Sequence, residues 1–281
     1  MPWKSSGADV SVDLHSHTTV SDGALSPVEL VRLAASRGLS MLSITDHDAI
    51  DGLETARRAA PAGLEILAGA ELTVHVADRE AHILAYGIDT RDRALCAALG
   101  DLARCRVERA RAIVKRLVEL GVEIEFEDVQ VVSGEGTIAR PHIARALVDR
   151  GHAGTLDEAF RRWLGRHAPA FVPKEALSPR DAFDLIKAAG GVSSLAHPGT
   201  FRRDDLIPVL VEAGLQALEV RHTEHSAARA RHYEALARDL DLMPTGGSDF
   251  HGTPGHRSRL GIPSIPDAWG QALVARIHTP R

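Results

Sequence analysis

The stretch Val12-Asp13-Leu14-His15-Ser16-His17 ends a short apolar run with two imidazoles one residue apart, and Asp22 follows five positions later. Similar groups close other apolar runs: Asp46 and His47 after LSMLSIT, Glu71 after LEILAGA, His197 after GVSSLA, His222 after LQALEVR, and Asp249 and His251 after LMPTGGS. Taken singly, each has an ordinary explanation, such as a capped loop or a turn around a buried histidine. Jointly they do not, because scattered packing histidines have no reason to prefer strand ends. Histidine accounts for 15 of the 281 residues against 2 tyrosines, so its placement carries the information. Imidazole and carboxylate without thiolate suit divalent manganese, iron or zinc and exclude a cysteine-type structural zinc knot. A carboxylate can also bridge ions, and clusters with ions about 4 Å apart favour phosphoryl transfer to water.

These groups need a scaffold that gathers distant positions. Strand-like runs at 10–14, 39–45, 64–69, 82–88, 191–198, 215–220 and 242–252 alternate with helical patterns near 27–37, 51–60, 204–213 and 226–240. This rhythm predicts an α/β fold of parallel strands with crossover helices. In a barrel of that kind the C-terminal strand ends converge on one mouth, where active sites are built. Helix starts are marked by Ser26-Pro27-Val28-Glu29, a capping box with proline at the first helical position, and more weakly by Ser178-Pro179-Arg180-Asp181. From 91 to 177 the rhythm gives way to a long charged helical pattern and two shorter helices near 140–150 and 155–165. Residues 10–90 and 178–281 are therefore expected to form the barrel, with 91–177 a helical insertion. IPSIPDAWGQALVARIHTPR is expected to hold a closing helix.

With 44% hydrophobic residues the chain can bury a large core. Its 38 acidic against 33 basic residues, a formal charge of −5, argue against a surface that coats nucleic acid or an anionic membrane. A small anionic substrate held by metal ions and a few arginines is compatible with that charge. Cys96 and Cys105 lie in one helical pattern and are expected as small buried apolar residues in a reducing compartment. MPWKSSGADV lacks an apolar leader core, and no apolar run is long enough to span a bilayer, so a soluble, cytoplasmic protein is expected.

Asp13-Leu14-His15-Ser16-His17, Thr45-Asp46-His47-Asp48, Ala196-His197-Pro198 and Gly247-Ser248-Asp249-Phe250-His251, in that order, resemble the four signature segments of the PHP family, the polymerase and histidinol phosphatase metal-dependent phosphoesterases. The resemblance covers nearly the whole chain. It implies a distorted (β/α)7 barrel with two or three divalent ions, Mn2+ foremost and Fe2+ or Zn2+ as alternatives. The implied ligands are His15, His17, Asp22, His47, Glu71, His82, His197, Asp249 and His251. The implied partition puts His15, His17 and Asp249 on one ion and His82 and His197 on a second, with Glu71 between them. Asp22, His47 and His251 hold a third, while Asp46 orients an imidazole.

Within the family the chain is most similar to the subgroup that dephosphorylates 3′,5′-bisphosphonucleotides and trims short RNA from the 5′ end. Arg140-Pro141-His142-Ile143-Ala144-Arg145 and Leu218-Glu219-Val220 support that likeness. It implies Arg140 as a phosphate clamp with His142 beside it, since the planar guanidinium suits phosphate. His222 and His225 are implied as substrate or leaving-group contacts. The expected reaction is hydrolysis of a phosphate monoester by water activated on the ions around Glu71 and Asp249, with His222 a candidate to protonate the leaving oxygen. His75, His152, His167, His232, His256 and His278 match no family position and are expected at the surface or in packing. The expected partner is a small phosphorylated substrate, a nucleotide or short oligonucleotide, with no membrane and no obligate protein partner expected.

Two other readings stay open. One is a histidinol-phosphate or small cyclic-phosphate phosphoesterase of the same family. The other is a non-catalytic metal-bound accessory module in replication machinery. No separate basic, aromatic-rich module is present, so mononucleotides or short oligonucleotides are the expected limit for nucleic-acid substrates.

Overall fold

The computed structural model describes residues 11–77, 79–134, 136–252 and 259–279. The opening segment 1–10, His256 and the last two residues lie outside them. Seven strands form one sheet in sequence order: β1 (Ser11–Asp13), β2 (Leu39–Ile44), β3 (Glu65–Val76), β4 (Arg79–Tyr86), β5 (Val192–Leu195), β6 (Ala217–His222) and β7 (Met243–Gly247). Beyond the ends of β1 and β7 the sheet closes on itself, through Leu14 N–H donating to Gly246 O at 3.2 Å and Asp249 N–H donating to His15 O at 2.9 Å. A Cβ on Gly247 would lie 2.3 Å from the His15 Cβ, so only glycine lets the two strand ends approach this closely. The result is the α/β barrel that the alternating pattern predicts.

One strand departs from that pattern. β4 runs antiparallel to both β3 and β5, while the other neighbouring pairs are parallel. No helix intervenes between β3 and β4, and a short connection can join only antiparallel strands. The reversal has a functional effect: His82 sits near the start of β4, and an antiparallel strand starts where its parallel neighbours end. His82 therefore reaches the same mouth as groups that follow the other strands.

On the outside lie α1 (Pro27–Ser36) and α2 (Leu53–Ala59), then, after β4, α3 (Arg93–Glu119), α4 (Phe126–Ser133), α5 (Arg140–Asp149) and α6 (Leu156–Ala159), which runs on into a π-helical turn, Phe160–Leu164. The barrel resumes with α7 (Pro179–Ala188), α8 (Pro198–Phe201), α9 (Ile207–Ala213), α10 (Ala227–Asp239) and α11 (Asp267–His278). The Ser26 cap closes as its sequence predicts, with Ser26 N–H donating to Glu29 Oε2 at 2.8 Å and Glu29 N–H to Ser26 Oγ at 3.3 Å. At α7, Asp181 N–H donates to Ser178 Oγ at 3.2 Å. The short helix α4 has no clear sequence signal, because its β-branched valines blur a helical reading.

The apolar core is divided. Leu42, Leu72, Ile83, Leu195 and Leu218 belong to a large cluster between the strands and α1, α2, α7 and α9. Leu117, Val129, Ile143, Leu147 and Leu164 form a second cluster within α3 to α6 and the turn after it. The two cysteines are not buried as expected: on α3, Cys96 is exposed and Cys105 is half-buried, because both fall off the helix face that packs inward. Among the described residues no helix is long and apolar enough to cross a membrane.

Leu147 is fully enclosed in the second cluster. Leu147→Ala is expected to cost about 2–5 kcal/mol of stability through lost burial and the cavity left behind. Denaturant unfolding measures it, and a shift below about 0.5 kcal/mol would mean that this cluster does not hold the helices together.

Candidate metal centre

The nine residues expected as ligands converge at the barrel mouth, on the loops after β1, β2, β5 and β7 and on β3 and β4 themselves. Glu71, 1% exposed, lies at the middle. Its Oε1 is 2.8 Å from His82 Nδ1 and 3.0 Å from His197 Nε2. Its Oε2 is 3.1 Å from His47 Nδ1, 3.2 Å from His17 Nε2 and 3.4 Å from His15 Nε2. Asp249 Oδ1 lies 3.1 Å from His17 Nε2 and 3.3 Å from His15 Nε2. Asp22 stands at the far side, 3.3 Å from His251 Nε2 and 3.8 Å from His47 Nε2.

Short contacts of this kind are not hydrogen bonds throughout. The buried atoms His17 Nε2, His47 Nδ1 and His82 Nδ1 have no hydrogen-bond partner, although carboxylate oxygens lie about 3 Å away. Their directions miss the oxygens, as donors aimed at a shared cation do, and unpaired buried polar atoms are otherwise costly. Ligand atoms within 4.8 Å of one another form several groups able to hold a metal ion, among them His15–His17–Asp249, His17–Asp22–His47–His251, His47–Glu71–His82 and His15–Glu71–His197. The all-nitrogen-and-oxygen donor set fits manganese, iron or zinc.

Backbone strain gathers at the same place. His197 and Asp249 hold φ of 28° and 53°, a region that costs a non-glycine residue of order 1–3 kcal/mol and persists where surroundings impose it. For His197 those surroundings include His225, whose Nε2 accepts from Gly199 N–H at 3.1 Å while its Nδ1–H donates to Val220 O at 2.9 Å. His225 was expected at the substrate, but both its ring nitrogens are committed to backbone. His142 is half committed, its Nδ1 accepting from Ala139 N–H at 3.1 Å where α5 begins. His222 Nε2, by contrast, is buried without a hydrogen-bond partner, 3.4 Å from Asp249 Oδ2. Among the histidines expected away from the site, His75, His167, His232 and His278 are exposed and His152 is half-buried.

Asp46 reaches an imidazole only through a hydroxyl, since Ser21 Oγ donates to it and lies 3.5 Å from His17 Nδ1. It accepts from Thr18 N–H at 2.7 Å, Thr18 Oγ1–H at 2.7 Å and Ser21 Oγ–H at 2.6 Å, and so fixes the loop that carries Asp22. The carboxylate that does hold an imidazole is Glu219, whose Oε1 is 3.0 Å from His15 Nδ1.

Sequence reasoning also missed most of a cationic wall beside the cluster. Arg106 on α3 and Lys174 both grip Asp48 Oδ2, the lysine at 3.3 Å. Arg109 Nε–H donates to Val172 O at 2.9 Å, while its Nη2 is buried and unpartnered. Arg140 stands over the Phe160 ring at 5.9 Å. Arg106, Arg109, Arg140 and Lys174 border one recess with Asp22, His47, His82 and Glu80, whose carboxylate partly offsets their charge. A larger cavity of about 550 Å³ adjoins it, lined by His82, Arg140, Lys174, Phe171 and His197. In the sequence these cations are dispersed through an amphipathic helix and a loop, where they look like an ordinary solvated face.

A PHP domain pattern matches residues 13–97, and the chain belongs to the PHP family of metal-dependent phosphoesterases, hydrolases of phosphoric esters. It is 36% identical to the 3′,5′-nucleoside bisphosphate phosphatase of Chromobacterium violaceum, over 96% of this chain and 99% of that one. It is 33% identical to the 5′-3′ exoribonuclease Rnm of Escherichia coli, over 86% and 85%. A solved metal-dependent phosphoesterase structure from Bifidobacterium adolescentis superposes with a TM-score of 0.86 at 32% identity, covering 94% of this chain and 96% of that one.

Protons compete with ions at this centre. Burial alone disfavours a charged imidazole, but Asp249 and Glu71 outweigh it at His17 and lift it to about 10. Glu71 and Glu80 likewise lift His82 to about 9. Both rings are protonated at pH 7 without metal, whereas a ligating imidazole must be neutral. Uptake of Mn2+ at pH 7 is therefore expected to release protons, and affinity to fall as pH is lowered. Calorimetric titration in two buffers of different ionisation enthalpy measures this; a heat independent of buffer contradicts it.

Proposed function

We propose that the protein removes the 3′-phosphate of 3′,5′-bisphosphonucleotides, leaving a 5′-mononucleotide, and that short RNA with a 5′-phosphate is a second substrate. The observation that carries this reading is the cationic wall of Arg109, Arg140, Arg106 and Lys174 beside the imidazole cluster, with an unpartnered guanidinium nitrogen facing no acceptor. A substrate with a single phosphate has no use for such a wall. A substrate with two can put one at the ligand cluster and the other against the arginines. The named activities of the two curated relatives support the same choice.

The family resemblance supports a partition in which His15, His17 and Asp249 would hold one ion, His82, His197 and Glu71 would serve a second, and Asp22, His47 and His251 would hold a third, with Mn2+ as the proposed metal. When bound, such ions supply a water-derived nucleophile at neutral pH and offset charge on phosphoryl oxygens. Arg140 and Arg109 fork onto the phosphate that stays, which fixes the nucleotide's direction. Lys174 adds charge from behind. His222 Nε2–H donates a hydrogen bond to the ribose 3′ oxygen as its bond to phosphorus breaks and the water oxygen bonds to phosphorus on the opposite side, and solvent water protonates the departing alkoxide. His222 is suited to this because its Nδ1 already accepts from Glu224 N–H at 3.1 Å, which puts the ring proton on Nε2.

The deciding assay is phosphate release with Mn2+ from adenosine 3′,5′-bisphosphate, beside AMP, histidinol phosphate and a ribose cyclic phosphate. Preference for the bisphosphate with AMP as product is expected, and preference for another ester overturns the substrate assignment. Arg109→Ala and Arg140→Ala are each expected to raise KM for the bisphosphate about ten- to hundredfold, since hydrogen bonds to charged groups contribute about 1.5–3 kcal/mol. Unchanged KM in both would remove the second-phosphate site.

Lys174 adds a pH dependence. Burial pushes its ammonium down to about 8, against the pull of Asp48. It is charged below that pH and neutral above, so KM for the bisphosphate is expected to rise as pH increases through about 8. Lys174→Met should abolish that rise, and a KM profile identical to wild type would exclude Lys174 from the site.

A further inference from the structure

β6 carries an anomaly for a barrel strand. Leu218 and Val220 join the apolar cluster under the helices, and alternation along a strand turns Glu219 between them into the barrel interior. There it is fully buried. A buried carboxylate is tolerated only with partners, and Glu219 has two. Its Oε1 accepts from His15 Nδ1–H at 3.0 Å, and its Oε2 accepts from the backbone N–H of His197 at 2.6 Å.

Both partners belong to residues read here as ligands. With its proton held on Nδ1 by Glu219, His15 turns its Nε2 lone pair toward Glu71 and Asp249, 3.4 and 3.3 Å away. The same carboxylate ties down the amide of His197, the residue with φ of 28°, from which Nε2 reaches Glu71 at 3.0 Å. One side chain thus fixes a tautomer at one ligand and a strained backbone at another.

We propose that Glu219 is the positioning residue of the centre: it selects the Nδ1–H tautomer of His15 and seats His197, and so sets two ligands of the cluster at once. This rests on reading His15 and His197 as ligands of a divalent-ion cluster.

The chemistry of an amide makes the idea testable. Both groups facing Glu219 are N–H donors, and a carboxylate accepts from both. Glutamine has the same shape but one acceptor oxygen. If that oxygen serves His197 N–H, the amide NH2 faces His15 Nδ1 and drives the ring proton to Nε2, the ligating atom. If it serves His15, NH2 opposes the His197 N–H and unseats the turn. Either arrangement damages one ligand.

The experiment is calorimetric titration of metal-free protein with Mn2+, together with elemental analysis of bound metal, for wild type, Glu219→Gln and Glu219→Asp. Glu219→Gln is expected to bind Mn2+ about ten- to hundredfold more weakly, or to hold fewer ions, the range found when partners behind metal ligands are lost. Its near-ultraviolet circular dichroism should match wild type. Glu219→Asp keeps two acceptors on a shorter arm and should fall between. Wild-type binding by Glu219→Gln overturns the proposal, as does an aspartate variant as weak as the glutamine one, which would point to packing instead of accepting. Should the glutamine variant not fold, wild-type binding by Glu219→Asp overturns it. Failure of the ligand reading is distinguishable: wild type itself would then bind no Mn2+, or His15→Ala would bind it as wild type does.

Discussion

Everything at the barrel mouth is organised around one buried carboxylate that faces five imidazoles. Glu71 offers Oε1 to His82 and His197 and Oε2 to His15, His17 and His47. Against burial, which raises it, the rings pull its pKa well below the usual carboxylate range, His47 and His82 foremost. Such a density of basic nitrogens around one anion is stable only if protons or metal ions supply the missing charge. The strand reversal at β4, the glycine contact between Gly247 and His15, and the left-handed turns at His197 and Asp249 all serve to bring ligands within reach of that carboxylate.

The strand ends and their order were legible in the sequence because the apolar runs are short and well bounded and all but the one at 82–88 are followed by a polar group of the same chemical kind. The caps at Ser26 and Ser178 were legible for the same local reason. The direction of β4 was not, since periodicity reports which face a residue occupies but not which way a strand runs. His82 was brought into the expected set only by resemblance, for it sits at the beginning of its run. The exposure of Cys96 and Cys105 was misjudged because average burial of a residue type says nothing of its place on a particular helix.

Glu219 and the cationic wall mark a different limit. Glu219 did leave a signal, a charge inside the buried strand Ala217–His222, but its partners His15 and His197 are remote in sequence and only closure of the barrel brings them to it. Arg106, Arg109 and Lys174 left none. Their charges belong with Asp48 and the mouth through tertiary contact alone. Asp46 acts less directly than expected, holding the loop through Thr18 and reaching the His17 ring by way of Ser21.

The long helix α3 has a consequence for how such a protein can change. β4 runs away from the mouth, so the chain leaves the barrel at its far end, and 27 helical residues, about 40 Å, carry it back up past the rim. The metal-binding loops and the arginine-bearing helices are thereby written in separate, contiguous stretches of sequence. On the proposed reading, selection for a new phosphate ester can rewrite the stretch between β4 and β5 while the inorganic machinery stays in register, so that the chemistry on a phosphate and the choice of its bearer are written apart.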